Sequence, residues 1–307
     1  SLGGFAGDSK SMITIVKGLE KLGHEVSIAT TDGNGYFYDK KRSKLYEPIR
    51  KKLAENIQKI IEIDKMKIMP IHCVSERFGM YCPSASKIAK KILPSYDVVY
   101  IINWYYHLGM VFSKIAYELE IPFIVGTMAS LQENGKNVKK RKKDLLDKLY
   151  TNKMIKHVTG LHCVGEQERK SLIKLGADSK KIFLINNGIN KFRNKIDVKD
   201  DFGKIKKFSK ELQYIVTVGR IDHKKGLDIL IRAFSEIVKK VNVSLVIVGT
   251  GEEAYVKQIK ELIQKLDLTN FVKFSGYVTD EEKYMILEKA KLFVSTSRSD
   301  IHPIAAI

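Results

Sequence analysis

The sequence predicts an α/β protein built from two doubly wound domains. Strand-sized apolar runs alternate with helix-sized amphipathic ones along nearly the whole chain, the pattern of parallel sheets covered on both faces. The alternation breaks once, in a polar, charged and poorly periodic stretch over residues 191–211, which reads as a linker. On each side of the break a glycine-bearing turn runs into a helix, the arrangement that places ligands at the carboxyl ends of strands in open α/β sheets. At 307 residues the chain has room for two domains of ordinary size. The expected division is an N-terminal domain over 1–190, the linker over 191–211 and a C-terminal domain over 212–307, with the two domains facing a cleft.

Taken in order, Gly3, Gly4 and Gly7 lie in a glycine-rich loop. A helix follows, with Met12, Ile15, Val16, Leu19 and Leu22 turned inward, then a strand over 26–30. Residues 45–63 read as helical, 67–73 as a strand, 85–93 as a helix and 97–102 as a strand. A helix over 111–119 leads to a strand over 121–126, entered through Pro122. The unbroken basic run Lys139, Lys140, Arg141, Lys142 and Lys143 leads into an amphipathic helix through Leu145, Leu146, Leu149 and Ile155. A strand over 159–164, a helix over 166–175 and a strand over 182–185 complete the first domain. Glu166 and Glu168 open that last helix, where carboxylates favour the positive end of the dipole. The second domain reads as strands at 214–218, 243–248, 271–275 and 291–296, with helices at 226–240, 253–266 and 280–289.

Composition narrows the function. Hydrophobic residues make up 44% of the chain, as in globular proteins. The three cysteines, Cys73, Cys82 and Cys163, form no C-x-x-C pair and read as reduced thiols of a cytosolic protein. The seven histidines show no metal-ligand spacing, so no metal site is expected. No apolar run approaches the ~18 residues of a membrane span, and no signal peptide is seen. The chain opens on the glycine loop with no strand before it and stops at Ile307 within an apolar stretch, so the expected fold is incomplete at both ends. A net charge of +19 favours an acidic partner. Basic and aromatic residues are not interleaved on one face, which argues against nucleic acid.

The sharpest local signal lies after the strand at 214–218. Gly219 ends it, a helix begins near Leu227, and Arg220 and Lys225 stand on the turn between them. A helix N-terminus flanked by Arg and Lys suits a diphosphate, because the dipole and both charges favour an anion. The Gly3-Gly4 loop offers the same kind of close backbone approach.

Together these residues resemble the retaining GT-B-fold glycosyltransferases of the group 1 and family 4-like kind. Val218-Gly219-Arg220 with Lys225-Gly226-Leu227 matches the family's "GR…KG" motif, and Val246-Ile247-Val248-Gly249-Thr250-Gly251-Glu252 its "(I/V)VGxGxE" strand and turn. Phe274-Ser275-Gly276-Tyr277-Val278 resembles "F-x-G-x-V", and Ser297-Arg298-Ser299-Asp300 resembles "S-x-x-E". In the first domain Gly3-Gly4, Leu22-Gly23-His24-Glu25-Val26, Asp97-Val98-Val99, Ile121-Pro122-Phe123 and Asn187-Gly188-Ile189 follow the family's order.

The resemblance implies a hexosyl transfer with retention, from a UDP- or GDP-linked sugar to a glycan or lipid-linked acceptor, without a metal or other cofactor. Arg220 and Lys225 would hold the donor diphosphate, with Gly3, Gly4, Gly219, Gly249 and Gly251 lining its approach. Tyr277 and Val278 would offer backbone to the base. Asp300 takes the first acidic position of the family's paired-acid motif; the second falls beyond Ile307. Ile301, His302, Pro303 and Ile304 would form the turn facing the transferred sugar. Met128 stands where many members carry a histidine that contacts the sugar, and His107 is a candidate replacement. Trp104, with Tyr105 and Tyr106, is either a sugar platform or core. The basic run at 139–143 implies docking on an anionic membrane surface, so the expected location is the cytoplasm, peripheral on the membrane's inner face. The alternative is a non-catalytic nucleotide-sugar-binding protein of the same fold.

Overall fold

The computed structural model describes residues 7–33, 47–75, 80–128, 147–188, 213–298 and 300. The chain divides into two compact units, with the main boundary between Ile189 and Asn190. The expected linker, Gly3, Gly4, the basic run at 139–143 and residues 301–304 lie outside the described residues.

The first unit opens with α1 (Gly7–Lys21). Gly23, at φ 89, ends it in the left-handed region. The His24 N–H donates to the Leu19 carbonyl and the Gly23 N–H to that of Glu20, a Schellman cap. That cap turns the chain away, so Leu22, expected to face inward, is 77% exposed. Val16 instead packs with Ile28, Leu53, Met66 and Ile68.

A small sheet follows, made of β1 (Ser27–Thr31), β2 (Ile61–Ile63) and β3 (Met66–Ile71) in the order β1-β3-β2. Residues 45–63 are not one helix as expected. Helix α2 spans Glu47–Glu55, and β2 then pairs antiparallel with β3. Asp64 and Lys65, at φ 51 and 66, form the two-residue turn between them, the left-handed pair that suits a tight hairpin. The period-two alternation of Ile61-Glu62-Ile63 sets Ile61 opposite Ile68.

The second sheet of this unit runs parallel in sequence order: β4 (Val99–Ile102), β5 (Phe123–Gly126), β6 (Gly160–Cys163) and β7 (Ile182–Leu184). Helices α3 (Ala85–Ile92), α4 (His107–Glu118) and α5 (Glu166–Lys174) accompany it. Phe123, Val125, Leu161, Phe112, Ile115 and Leu172 share its core. Residues 147–154, expected as ordinary helix, form a π-helical turn over Asp147–Thr151 and a short α-turn.

Two buried polar devices tie the carboxyl ends of these strands together. The Glu168 carboxylate is fully buried and accepts from Thr127 Oγ1 (2.5 Å) and the Val164 N–H (3.0 Å), joining the exit of β5 to the turn before α5. His162 donates from Nε2 to the Ile185 carbonyl (2.7 Å), which leaves Nδ1 to accept from the Tyr100 hydroxyl. Burial raises the Tyr100 phenol well above its usual range.

The second unit is one parallel sheet in the order β10-β9-β8-β11: β8 (Tyr214–Val218), β9 (Ser244–Val248), β10 (Val272–Gly276) and β11 (Leu292–Phe293). β8 and β9 are apolar almost throughout because both faces are covered. Leu230, Ile231 and Phe234 of α6 (Leu227–Ile237) and Ile259 and Ile263 of α7 (Glu253–Lys265) pack on one face. Met285 and Ile286 of α8 (Asp280–Lys289) pack on the other, against Tyr214, Val216, Val246 and Val248. Thr279 and Glu282 close α8 with a capping box. From β8 the chain winds outward through β9 and β10, then returns to lay β11 on the other side of β8. The gap between the carboxyl ends of β8 and β11 is therefore a topological switch point, the place where such sheets bind ligands.

Two outcomes are expected. Glu168→Ala strands the buried Val164 N–H and leaves the Thr127 hydroxyl only the His162 carbonyl at 3.3 Å, and should destabilise the first unit by about 1–3 kcal/mol; calorimetry resolving its transition would show no change if the carboxylate were dispensable. Burial pushes the Cys82 thiol up to about 12 and that of Cys163 to about 11, while Cys73 is only partly covered. Native labelling with a disulfide reagent at pH 8 should modify Cys73 alone; equally fast labelling of Cys82 or Cys163 would contradict their burial.

Candidate functional site

The turn after β8 is built by close backbone approach. Its Gly219 N–H donates to the Val248 carbonyl, the Ile221 N–H to that of Thr250, and the Gly249 N–H to that of Gly276, so the glycine turns ending β8, β9 and β10 are laced into one layer. A Cβ on Gly249 would lie 1.9 Å from the Gly219 carbonyl oxygen, and one on Gly251 1.9 Å from that of Ile221. No side chain fits there. Asp222 accepts from the Lys224 N–H (2.8 Å) and caps a 3₁₀ turn over His223–Lys225. Gly226, at φ 62, then reverses the chain into α6.

The segment after β11 is fastened onto this turn. Thr296 Oγ1 lies within hydrogen-bond distance of the carbonyls of Lys225 (3.2 Å) and Gly226 (2.9 Å). A Cβ on Gly226 would sit 2.1 Å from the Thr296 carbonyl oxygen. The Arg298 N–H donates to the Lys224 carbonyl (2.7 Å). Its guanidinium forks onto Asp228 (2.8 and 2.7 Å) and also donates to the His223 carbonyl (2.9 Å). That fork holds the Asp228 carboxyl below its usual range.

These contacts bring Lys225 to Asp300, and the two form an ion pair with side chains 30% and 23% exposed. Ser297 Oγ lies 3.5 Å from the same carboxylate. Arg220 is more open, its side chain 55% exposed with Nε 3.6 Å from Asp222. It lines a cavity of about 210 Å³ with Ile221, Asp222, His223, Glu252 and Tyr255. The Tyr255 hydroxyl is buried without a hydrogen-bond partner among the described residues, and burial raises its phenol. Arg220, Lys225 and Asp300 thus all stand at the carboxyl end of β8, two cations and a carboxylate beside a helix N-terminus. The arrangement can hold an anion and orient a hydroxyl-rich group next to it.

Sequence reasoning did not single out Asp222, Asp228, Tyr255 or Arg298 as site residues. Asp222 and Asp228 lie inside the motif that carried Arg220 and Lys225, so proximity was a usable signal. Nothing in the sequence couples Asp228 to Arg298 across 70 residues.

Elsewhere, Tyr277 and Val278 follow Gly276 (φ 72) at the end of β10, with Val278 packed against the second core face. In the first unit Met128 holds φ 43 directly after Thr127, a left-handed backbone that costs a bulky residue about 1–2 kcal/mol. His107 begins α4, accepts from the Cys82 N–H at Nδ1 (3.3 Å) and meets Tyr81 edge-on at 4.6 Å. Burial lowers its pKa, so the ring is neutral at pH 7. Trp104 corrects an expectation: its indole is 2% exposed and donates to Thr151 Oγ1 (2.8 Å), which leaves no face for a sugar.

Among the described residues no helix is long and apolar enough to cross a membrane. The mannosylfructose-phosphate synthase of Agrobacterium fabrum is 33% identical over 108 residues, which cover 33% of this chain and 24% of that protein. The alpha-monoglucosyldiacylglycerol synthase of Streptococcus pneumoniae is 23% identical over 96% of this chain and 64% of its own length. The chain thus spans less than two-thirds of the length of these curated relatives. In fold it is similar to Anabaena HepE, crystallised with UDP and glucose, at a TM-score of 0.65 and 16% identity, covering 96% of this chain and 72% of that one. The profile described as Glycosyl transferases group 1 matches residues 198–307, and that of Glycosyltransferase Family 4 matches residues 6–192. With two Rossmann-like units of GT-B type and that second profile over more than half its length, the chain belongs to glycosyltransferase family 4.

Proposed function

We propose that the protein transfers a hexosyl unit, with retention, from a UDP- or GDP-linked sugar to a glycan or lipid-linked acceptor. The observation that carries this is the meeting of Lys225 and Asp300 at the switch point beside β8, with Arg220 on the same turn. Arg220 and Lys225 bind the diphosphate, and Lys225 exchanges its carboxylate partner for a phosphate oxygen when the donor enters. Asp300, released, faces the sugar.

In the reaction the bond between the anomeric carbon and the diphosphate oxygen breaks as the acceptor oxygen adds on the same face. The leaving phosphate oxygen takes the acceptor's proton, so atoms and charge balance without a further base. The protein's main contribution is to stabilise negative charge growing on the diphosphate. Two cations do this directly, and the proposal assigns no step to a metal. UDP in the HepE structures supports a nucleotide-sugar donor by likeness of fold. The similarity to a diacylglycerol glycolipid synthase and the basic run at 139–143 support an acceptor at an anionic, cytoplasmic membrane surface. Met128, in place of a donor-contacting histidine, favours one second reading: a protein that binds nucleotide sugar without turning it over.

The test is a donor screen with UDP-glucose, UDP-galactose, UDP-N-acetylglucosamine and GDP-mannose in EDTA, scored for binding and slow hydrolysis. One donor should bind and be hydrolysed. Binding without turnover would select the second reading, and no binding at all would overturn the assignment of Arg220 and Lys225. With that donor, Arg220→Ala and Lys225→Ala should each lower turnover at least about a hundredfold, the scale of losing one oxyanion donor. Near-normal rates in either variant would remove that residue from the site.

A further inference from the structure

We propose that Arg298 is a positioning residue whose fork onto Asp228 and the His223 carbonyl seats Asp300 opposite Lys225, so that the anion site is assembled from two segments some 70 residues apart. The inference rests on the function proposed above and extends it to a residue that would touch neither donor nor acceptor.

The geometry points this way for three reasons. First, β11 is only two residues long, Leu292–Phe293, so the sheet stops pairing well before Asp300. Beyond the Val294 N–H, which donates to the Val216 carbonyl, the described hydrogen bonds from this segment to the rest of the unit come from Thr296, Arg298 and Asp300. Second, the Arg298 contacts surround the backbone that carries Lys225. Its guanidinium holds the His223 carbonyl, its N–H holds the Lys224 carbonyl, and Asp228 lies on the first turn of α6 just beyond Gly226. Third, the fork is planar and bidentate, which fixes orientation as well as distance. A lysine at 298 would keep the charge and lose the register.

The bland reading is a partly exposed ion pair that adds a little stability and nothing else. The two differ in what they move. A stabilising pair lowers the melting temperature and leaves kinetics per folded molecule intact. A positioning residue shifts turnover while the fold stays formed, because misplacement by about 1 Å can cost up to a hundredfold.

The experiment compares wild type, Arg298→Lys, Asp228→Asn and the double variant with the donor identified in the screen. It measures kcat, KM for the donor, UDP affinity and melting temperature. Each single variant is expected to lose ten- to a hundredfold in kcat/KM at a temperature well below its Tm. The double variant is expected to lose no more than the worse single one, since both act through one contact. Rates within twofold of wild type in all three, with only the melting temperature lowered, would overturn the inference. Independent, multiplying losses would overturn it too. If Arg298→Lys does not fold, Thr296→Val removes the hydroxyl bridge to Lys225 and Gly226 and should lower kcat/KM several-fold; an unchanged rate in that variant would count against the assembly. If wild type binds no nucleotide sugar, the proposed function falls first and this inference falls with it.

Discussion

The close approach of the Thr296 carbonyl to Gly226 is the constraint on which the rest of the site depends. It exists because the chain leaves β8 on one side and comes back as β11 on the other. Two segments distant in sequence must then pass each other at backbone distance, and only a residue without Cβ leaves room. The same logic repeats one strand over, where Gly249 and Gly251 admit the carbonyls of Gly219 and Ile221. Such a layer has few side chains to move. Arg220 and Lys225 are therefore carried on fixed backbone, and the segment fastened by Arg298 brings Asp300 to them, a rigidity that suits a site for a small charged group.

Charge near this layer is balanced more evenly than in the chain at large. The net +19 comes mostly from lysines spread along the whole chain. At the switch point Lys225 faces Asp300, Arg298 faces Asp228 and Arg220 lies beside Asp222. All three pairs are partly exposed, so each contributes little to stability. Their meaning is directional. On the function proposed, an arriving diphosphate would find cations already aimed by their carboxylate partners, and would attract Lys225 more strongly than one carboxylate does because it brings more negative charge.

How much of this was legible in the sequence depended on how local the signal was. The strands at 214–218 and 243–248 read clearly because both sheet faces are buried and the residues are apolar apart from Thr217 and Ser244. Gly219, Gly226, Gly249 and Gly251 read clearly because backbone proximity leaves a glycine in the sequence. The hairpin at 61–66 was missed because Asp64-Lys65 carries no glycine and the flanking strand is three residues long. Leu22 was misplaced because helical spacing continues on paper past a cap that Gly23 imposes in space. Trp104 was ambiguous because an aromatic residue after a strand serves a core and a rim equally well; Thr151, 47 residues away, decides it. The Arg298–Asp228 fork depends on which strand β11 lies beside, and periodicity carries no such information.

On the function proposed, the turn between β8 and α6 recognises a diphosphate. The most direct measurement is calorimetric affinity for the nucleoside diphosphate against the matching monophosphate, UDP against UMP or GDP against GMP, in wild type and in an Arg220→Ala, Lys225→Ala double variant. Two charge-assisted contacts to the second phosphate should make the diphosphate bind at least about tenfold more tightly, and the double variant should erase that preference while leaving monophosphate affinity nearly unchanged. Equal affinities in wild type, or a preference that survives loss of both cations, would contradict the account.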